Sequence, residues 1–200
     1  MQAMPDTQQR ILDSARELFF LRSYADVGIA AICERAGVNR GSLYYFYPSK
    51  QDLVLAVLDA QFNDMEGNLL SQAFAEDIPP MARLARFAKT VYQVQKQINA
   101  GTGHVLGCPF GNLATELSTQ DDTIRARIQQ VFRKLQGHIC GVLQSAQKLG
   151  ELSRDVDEKA TAEAMLAYFE GVLLLAKTQN NPELIHQLLP AMAQVRITKS

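Results

Sequence analysis

Four consecutive residues, Asn39-Arg40-Gly41-Ser42, set an amide, a guanidinium and a hydroxyl around a glycine. They follow Ala36-Gly37-Val38, where Gly37 is free to take the left-handed conformation that ends helices. Asn39 is a good N-cap for what comes next. The unpaired amides of a helix start attract phosphate. A guanidinium such as Arg40 can hold the edge of guanine with two bonds, and a carboxamide such as Asn39 can read adenine. Gly41 lets the helix approach a duplex closely. The run Leu43-Tyr44-Tyr45-Phe46-Tyr47 is too aromatic for a loop, and 40–47 is too short for a core helix. Pro48 stops it, Ser49 can cap the following helix, and Lys50 lies in that helix's first turn.

A second stretch, His104-Val-Leu-Gly-Cys108-Pro-Phe110-Gly-Asn112-Leu-Ala-Thr-Glu116, holds the other reactive groups. Pro109 suits a first helical turn, which places Cys108 at or near the N-cap. A thiol at a helix N-terminus with a histidine nearby has its thiolate favoured. Cys108 is therefore expected to be more reactive than Cys33, on an apolar helix face, or Cys140, in a core-like helix. The plainer alternative is a structural turn with an inert buried cysteine. Asn112 and Glu116 lie four apart and can point to one side, with Phe110 near the mouth of a pocket. Phe87, Val91, Tyr92, Gln95, Phe132, Met165, Tyr168 and Phe169 are candidate apolar walls, although each alone could equally be core.

The elements that must position these groups are helical throughout. Val27–Ala36 carries Ile29, Ile32 and Cys33 on one apolar face. With the Gly37 turn and the short aromatic helix it forms a helix-turn-helix layout. Thr7–Leu21 precedes it, with Ile11, Leu12, Ala15, Leu18 and Phe19 at helical spacing and Asp6 or Thr7 as cap. Asp52 to about Phe74 reads as one long helix linking the two halves of the chain. Further helices are predicted over Met81 to about Ala100, Thr123–Leu149, Asp155–Lys177 and Pro182–Val195. Gly101-Thr102-Gly103 is a predicted loop, Pro190 a predicted kink or early stop, and Arg196–Ser200 a frayed tail. Gly137 and Gly141 allow a neighbour to approach closely. No strand alternation and no repeat appears, so the fold class is all-α.

Composition narrows the function. The chain has 200 residues, 47% apolar and 20% charged, with a net charge of −1. That is no uniformly cationic coat, but Arg35, Arg40 and Lys50 span a segment with no acid between Glu34 and Asp52. Three cysteines, odd in number and far apart, argue against a disulfide framework or a zinc site. No cofactor motif is present. No apolar run is long enough for a bilayer, and MQAMPDTQQR lacks a signal core, so a cytoplasmic protein with no membrane partner is expected.

The segment from about Asp6 to Met65, with ILDSARELF, Tyr24 and IAAICERAGVNRGSLYYFYPSKQDL, resembles the TetR family of bacterial transcriptional regulators. The resemblance implies a helix-turn-helix DNA-binding domain over 1–50, with its motif at about 28–47 and a family-type extent to about 66. It implies a helical ligand-binding and dimerisation domain over 51–200. It also implies that Tyr44 and Lys50 clamp phosphates and that Tyr45 faces the groove, with Tyr47 a further phosphate candidate. Leu43 and Phe46 look like core. The family usually has Thr and a small hydroxyl residue where this chain has Val27 and Gly28. Gly28 keeps its place in the DNA-binding set, and Asp26 is the substitute cap.

One such helix reads few base pairs, so a homodimer on a palindromic double-stranded operator is expected. Met165, Val172, Leu173, Leu184, Leu188 and Met192 are the candidate dimer face, on the last two long helices as in the family; internal core is the other reading. Gly-Cys-x-x-Gly-Asn-Leu also resembles a branch of TetR-type repressors that includes regulators responding to electrophiles. The expected function is repression, released by a small-molecule inducer or a thiol-reactive electrophile. Ligand or Cys108 modification would move the short helix, push helix 52–74 and change the spacing of the two recognition helices. Two other functions stay in view. A Cys108–His104 enzyme lacks an oriented acid and an oxyanion loop. A constitutive DNA binder needs many phosphate contacts, which the modest charge does not supply.

Overall fold

The computed structural model describes residues 7–199; Asp6, one of the two proposed caps, lies outside them. The described residues form helices. Their one β-type pairing is an isolated bridge between Val156 and Thr198. The chain divides into two compact units, one containing residues up to 63 together with 112–129, the other 64–111 with 130 onwards. Each is described separately.

In the first unit α1 (Thr7–Leu21), α2 (Ile29–Ala36) and α3 (Arg40–Phe46) pack on one another, followed by α4 (Lys50–Asp64). The apolar spacing of α1 explains the packing. Ile11 and Ala15 are fully buried, as are Ile32 of α2, Leu43 of α3 and Leu53 of α4. Each large apolar side chain buried this way contributes about 1.5–3 kcal/mol. Between α2 and α3 the backbone turns at Gly37, φ 65°, ψ 40°. The Gly37 amide donates to Glu34 O and the Val38 amide to Cys33 O. Glycine is used because a Cβ at positive φ is strained. Arg10 Nη1 adds a bond to Ala36 O at 3.2 Å, holding the end of α2 to α1.

The N-cap of α2 is Gly28 in extended conformation, with no side-chain cap bond. This corrects the assignment of the cap to Asp26, whose own amide donates to Ser23 Oγ. Ser49 caps α4 reciprocally: its Oγ accepts from the Asp52 amide at 3.0 Å and donates to Asp52 Oδ2 at 2.7 Å. Helix α4 therefore starts at Lys50, as the expected Ser49 cap requires and two residues before the Asp52 that periodicity indicates.

In the second unit the helix predicted to run unbroken to Phe74 changes pitch. Six residues, Met65–Leu70, widen to a π-helical stretch before a last turn, α5 (Ser71–Ala73). Pro80 opens α6 (Pro80–Thr102), which continues through the predicted Gly101-Thr102 loop and ends at Gly103, φ 75°. Then come α7 (Pro109–Leu117), whose residues from 112 on belong to the first unit, α8 (Asp122–Lys148), which belongs to the second unit only from 130 on, and α9 (Glu158–Thr178), capped by Asp157. α10 (Glu183–Leu188) gives way to a 3-10 segment, Leu189–Gln194, where Pro190 removes an amide and α-helix ceases.

Within the chain a Cβ on Gly137 or Gly141 would meet nothing within 4 Å, so no other part of this chain packs closely on either glycine. The expected frayed tail is not found. The tail is tied down as far as Lys199. Asp157 and Lys199 amides donate to Ile197 O and Asp155 O. Ile197 N donates to the buried Thr161 Oγ1 at 3.0 Å.

Candidate DNA-reading face and regulatory site

The start of α3 is built by Asn39. Its Oδ1 accepts from the Ser42 amide at 2.8 Å, satisfying one of the four amides that a helix start leaves open. A Cβ on Gly41 would lie 3.2 Å from that oxygen, so the glycine also makes room for the cap itself. Arg40 is exposed. Tyr45 is 81% exposed and Tyr44 46% exposed, with Leu43 beneath them at 0%. This spacing turns one edge of α3 into the core and leaves a guanidinium and two phenols on the other. Tyr45 meets Phe46 edge-on, ring centroids 5.0 Å apart. Phe46 is half-buried.

Two expected members of this face, Tyr47 and Lys50, differ, as does Arg35 of the acid-free segment. Tyr47 is only 6% exposed, so it belongs to the core and offers no surface to a phosphate. As C-cap its amide donates to Leu43 O. Arg35 is paired with Glu17, Nε to Oε2 at 2.9 Å, so its charge is offset and its guanidinium held still more firmly protonated. Lys50 donates to Tyr24 O and lies over the Tyr24 ring at 3.9 Å. Burial against these groups lowers its pKa, opposed by the nearby Glu116 carboxylate. An ammonium carries three donors, so this bond leaves the head group able to reach another acceptor.

Glu116, expected beside a ligand pocket, lies in the first unit. Its Oε2 accepts from Tyr24 N at 2.9 Å and its Oε1 from Ala25 N at 2.8 Å. Asn112 is half-buried on the same helix. Nearby, Gln51 Nε2 bonds Asp121 Oδ2 at 2.6 Å and Arg127 pairs with Asp59.

In the second unit Cys108 caps α7. The Gly111 amide donates to Cys108 Sγ at 3.4 Å. The thiol is 7% exposed. Burial, then the charge of Glu170, push its pKa well above the ordinary thiol value. The expected favoured thiolate is not what this environment supports, because burial and the neighbouring Glu170 carboxylate outweigh the helix N-terminus. His104 is exposed, with its amide bonded to Thr102 Oγ1. Glu170 in turn is raised by its own burial, opposed by a hydrogen bond with Cys108. A Cβ on Gly111 would fall 2.3 Å from Glu170 Oε2, so this glycine admits the carboxylate. Glu170 Oε1 is buried without a hydrogen-bond partner.

Side chains that sequence reasoning did not connect hold the loop before Cys108. Gln95 makes a reciprocal pair with Gly107, Nε2 to O at 3.0 Å and N to Oε1 at 3.2 Å. Asn180, at a positive φ of 47°, receives Val105 N at 2.8 Å and donates to Gly103 O at 2.9 Å. The positive φ is a local cost of order 1–3 kcal/mol that these bonds offset. Only the turn-prone Asn180-Asn181-Pro182 hinted at it locally.

The expected pocket walls lie mostly in the core. Phe87 and Phe169 close on each other at 5.4 Å and, with Phe74, Leu135, Ile139 and Leu166, leave a cavity of about 10 Å³. That is about the space of one water. Phe110 and Met165 are fully buried, and Phe110 is at no mouth. Tyr92 lies at the surface, donating to Glu183 Oε1 at 2.7 Å, and Tyr168 bonds Leu188 O at 2.8 Å. A polar, open groove of about 520 Å³ runs past Glu66, Phe74, Arg83, Lys134, His138 and Lys148.

The dimer candidates divide in the same way. Met165, Val172, Leu173 and Met192 are buried within the unit, so they are core side chains. Leu184 and Leu188 are half-buried. The apolar face left over on α9 is instead Leu174, 61% exposed, and Leu175, 47% exposed. Helical spacing explains the error: these two residues follow Val172 and Leu173 directly and so rotate to the other side of α9.

Among known proteins, residues 11–57 match the family described as bacterial regulatory proteins, tetR family, and residues 80–192 match the tetracyclin repressor-like C-terminal domain. The chain is 31% identical over 193 residues to the transcriptional regulator AcuR of Cereibacter sphaeroides, covering 96% of this chain and 86% of that one. It is 26% identical to the HTH-type transcriptional repressor DhaR of a Mycobacterium species, covering 94% and 90%. A crystal structure of a regulatory protein TetR from Rhodobacter sphaeroides superposes with a TM-score of 0.83 at 30% identity, covering 96% and 99%.

Proposed function

This chain belongs to the TetR family of bacterial regulatory proteins and is a DNA-binding transcriptional regulator, and we propose that it is a dimeric cytoplasmic repressor of a palindromic operator, released by a small molecule or a thiol-reactive electrophile. The observation that carries the operator reading is the outer edge of α3. There a capped helix start presents Arg40 beside the exposed Tyr44 and Tyr45. Arg40, Asn39 and Tyr45 are assigned to the bases, Tyr44, Ser42, Lys50 and the backbone at Gly28 and Gly41 to the phosphates. In this reading residues 1–50 are the DNA-binding domain and 51–200 the ligand-binding and dimerisation domain. The relative named DhaR supports repression over activation.

Release is assigned to the surroundings of Cys108. The aromatic walls around Phe87 and Phe169 are closed, so an inducer that enters there must part them. It then releases DNA by as much as it prefers the parted state. An electrophile must reach a buried, protonated thiol, with Glu170 beside it to accept the proton as the sulfur–carbon bond forms.

The test is selection of bound sites from random duplex DNA, followed by release. Arg40→Ala is expected to lose preference at one symmetric position, a cost of about 1–3 kcal/mol. Unchanged affinity and base preference refute the assignment. Release by small electrophiles and apolar acids is then compared for wild type and Cys108→Ser. Equal release removes the thiol route and leaves the ligand route standing.

A further inference from the structure

Glu116 has a geometry that neither the DNA-reading face nor the inducer reading uses. Its two carboxylate oxygens take consecutive backbone amides, Tyr24 at 2.9 Å and Ala25 at 2.8 Å, in the turn that leaves α1. Consecutive amides aimed at one carboxylate make a bidentate, charge-assisted clamp on backbone. The partners lie more than ninety positions away in sequence, so the clamp is tertiary and not a local turn motif.

What the clamp holds gives it meaning. The carbonyl of the same Tyr24 accepts from Lys50 Nζ, and its ring lies under that ammonium at 3.9 Å. Phe19 lies on the same side at 5.9 Å and stacks on Tyr24 at 5.4 Å. Lys50 is the first residue of α4 and a proposed phosphate contact. Tyr24 therefore serves as its seat, and Glu116 fixes that seat from behind through the amides of Tyr24 and Ala25. Glu116 sits one residue before the end of α7, the helix whose first turn is capped by Cys108.

We infer that Glu116 is a positioning residue for DNA binding: by clamping the Tyr24–Ala25 turn it orients Lys50 toward the phosphate backbone, so that the C-terminal end of α7 sets whether that contact is made. This rests on the operator reading. It identifies the last link between the helix that Cys108 caps and the DNA. Rotation or retraction of α7 by a fraction of a turn withdraws the carboxylate, frees the turn and unseats the ammonium, with no change in α3 itself.

The test uses the full chain and the duplex that wild type selects from random DNA. A wild-type chain that selects no sequence overturns the operator reading, before any variant is needed. Glu116→Gln keeps size and one acceptor oxygen but turns an NH₂ toward one of the two amides. It is expected to lower the slope of log affinity against log salt by about 1 per subunit, the loss of one phosphate contact, and affinity by roughly fivefold per subunit at about 0.15 M salt. Lys50→Met is expected to do the same. The double variant is expected to lose no more than either single one, because both remove the same contact. Tyr24 and Ala25 amides should exchange faster in Glu116→Gln, while base preference is unchanged. Glu116→Asp, if it folds with a carboxylate too short for both amides, should lie between. An unchanged salt slope in Glu116→Gln, or losses that add in the double variant, overturns the inference.

Discussion

Replacing Asn39 separates two roles that one side chain holds. The perturbation is Asn39→Ala against Asn39→Asp. In the structure the carboxamide oxygen accepts from Ser42 N at 2.8 Å, and α3 has only seven residues. Alanine removes the acceptor. At an exposed cap the cost is about 1 kcal/mol, within a range of about 0.5–2. In a cooperative unit of the size of the first one this lowers Tm by about 4–8 °C. Aspartate keeps an acceptor at the same reach and adds a negative charge at the helix start, worth about 0.3–1 kcal/mol. Its Tm should match or exceed that of wild type. DNA binding should separate the variants the other way: aspartate repels phosphate and cannot donate to adenine, so it should bind the selected operator more weakly than alanine. Thermal unfolding by circular dichroism and fluorescence anisotropy on a labelled duplex read the two effects. An alanine variant with unchanged Tm refutes the cap as the organising contact of α3. An aspartate variant that binds DNA like wild type refutes the placement of Asn39 at the DNA surface.

Three variants in the second unit have distinct expected outcomes. Burial holds Glu170 above the ordinary glutamate range, so the folded chain binds this proton more readily than the unfolded one. Stability from this group is therefore present at low pH and lost as pH rises from about 4.3, the unfolded value, through the raised one. Glu170→Gln should gain Tm over wild type progressively across that rise, and a difference in Tm that stays constant with pH refutes the buried assignment. On α9, Leu174→Glu should weaken self-association by about 2 kcal/mol, roughly thirtyfold in dissociation constant, by sedimentation. Leu173→Ala, at 2% exposure, should instead lower Tm, with a cost of about 2–5 kcal/mol. A Leu174→Glu chain that dimerises as tightly as wild type refutes that face.

Patterns whose physics is local were legible in the sequence. Helical spacing marked α1 over Thr7–Leu21 without error. Gly37 needed positive φ and Asn39 needed a neighbouring amide, both set within a few residues. The motif through Tyr44–Lys50 brought the family with it, and the matched residues 11–57 and 80–192 bear that out. Where periodicity met a change of pitch it was less informative. Nothing in Met65–Leu70 distinguishes a π-helical stretch from an α-helix, since both bury the same apolar types.

At the functional sites, residue type was right more often than role. Cys108 at a helix N-terminus is a reactive arrangement in water, but long-range packing removes the water and adds a carboxylate. The thiol therefore stays protonated. Tyr47 and Tyr45 are the same residue two positions apart, and only the packing of α3 on its neighbours decides that one is core and the other is offered to solvent. The sequence by itself determined an all-α chain whose short helix after Gly37 begins with Asn39 and Arg40, because caps, turns and apolar spacing act over a few residues. Tertiary structure alone decided that Glu116 clamps Tyr24 and Ala25, that Lys50 rests on Tyr24, and that Leu174 rather than Leu173 faces outward. Those outcomes depend on groups brought together across the chain and on which of them lose their water, and neither is written in local spacing.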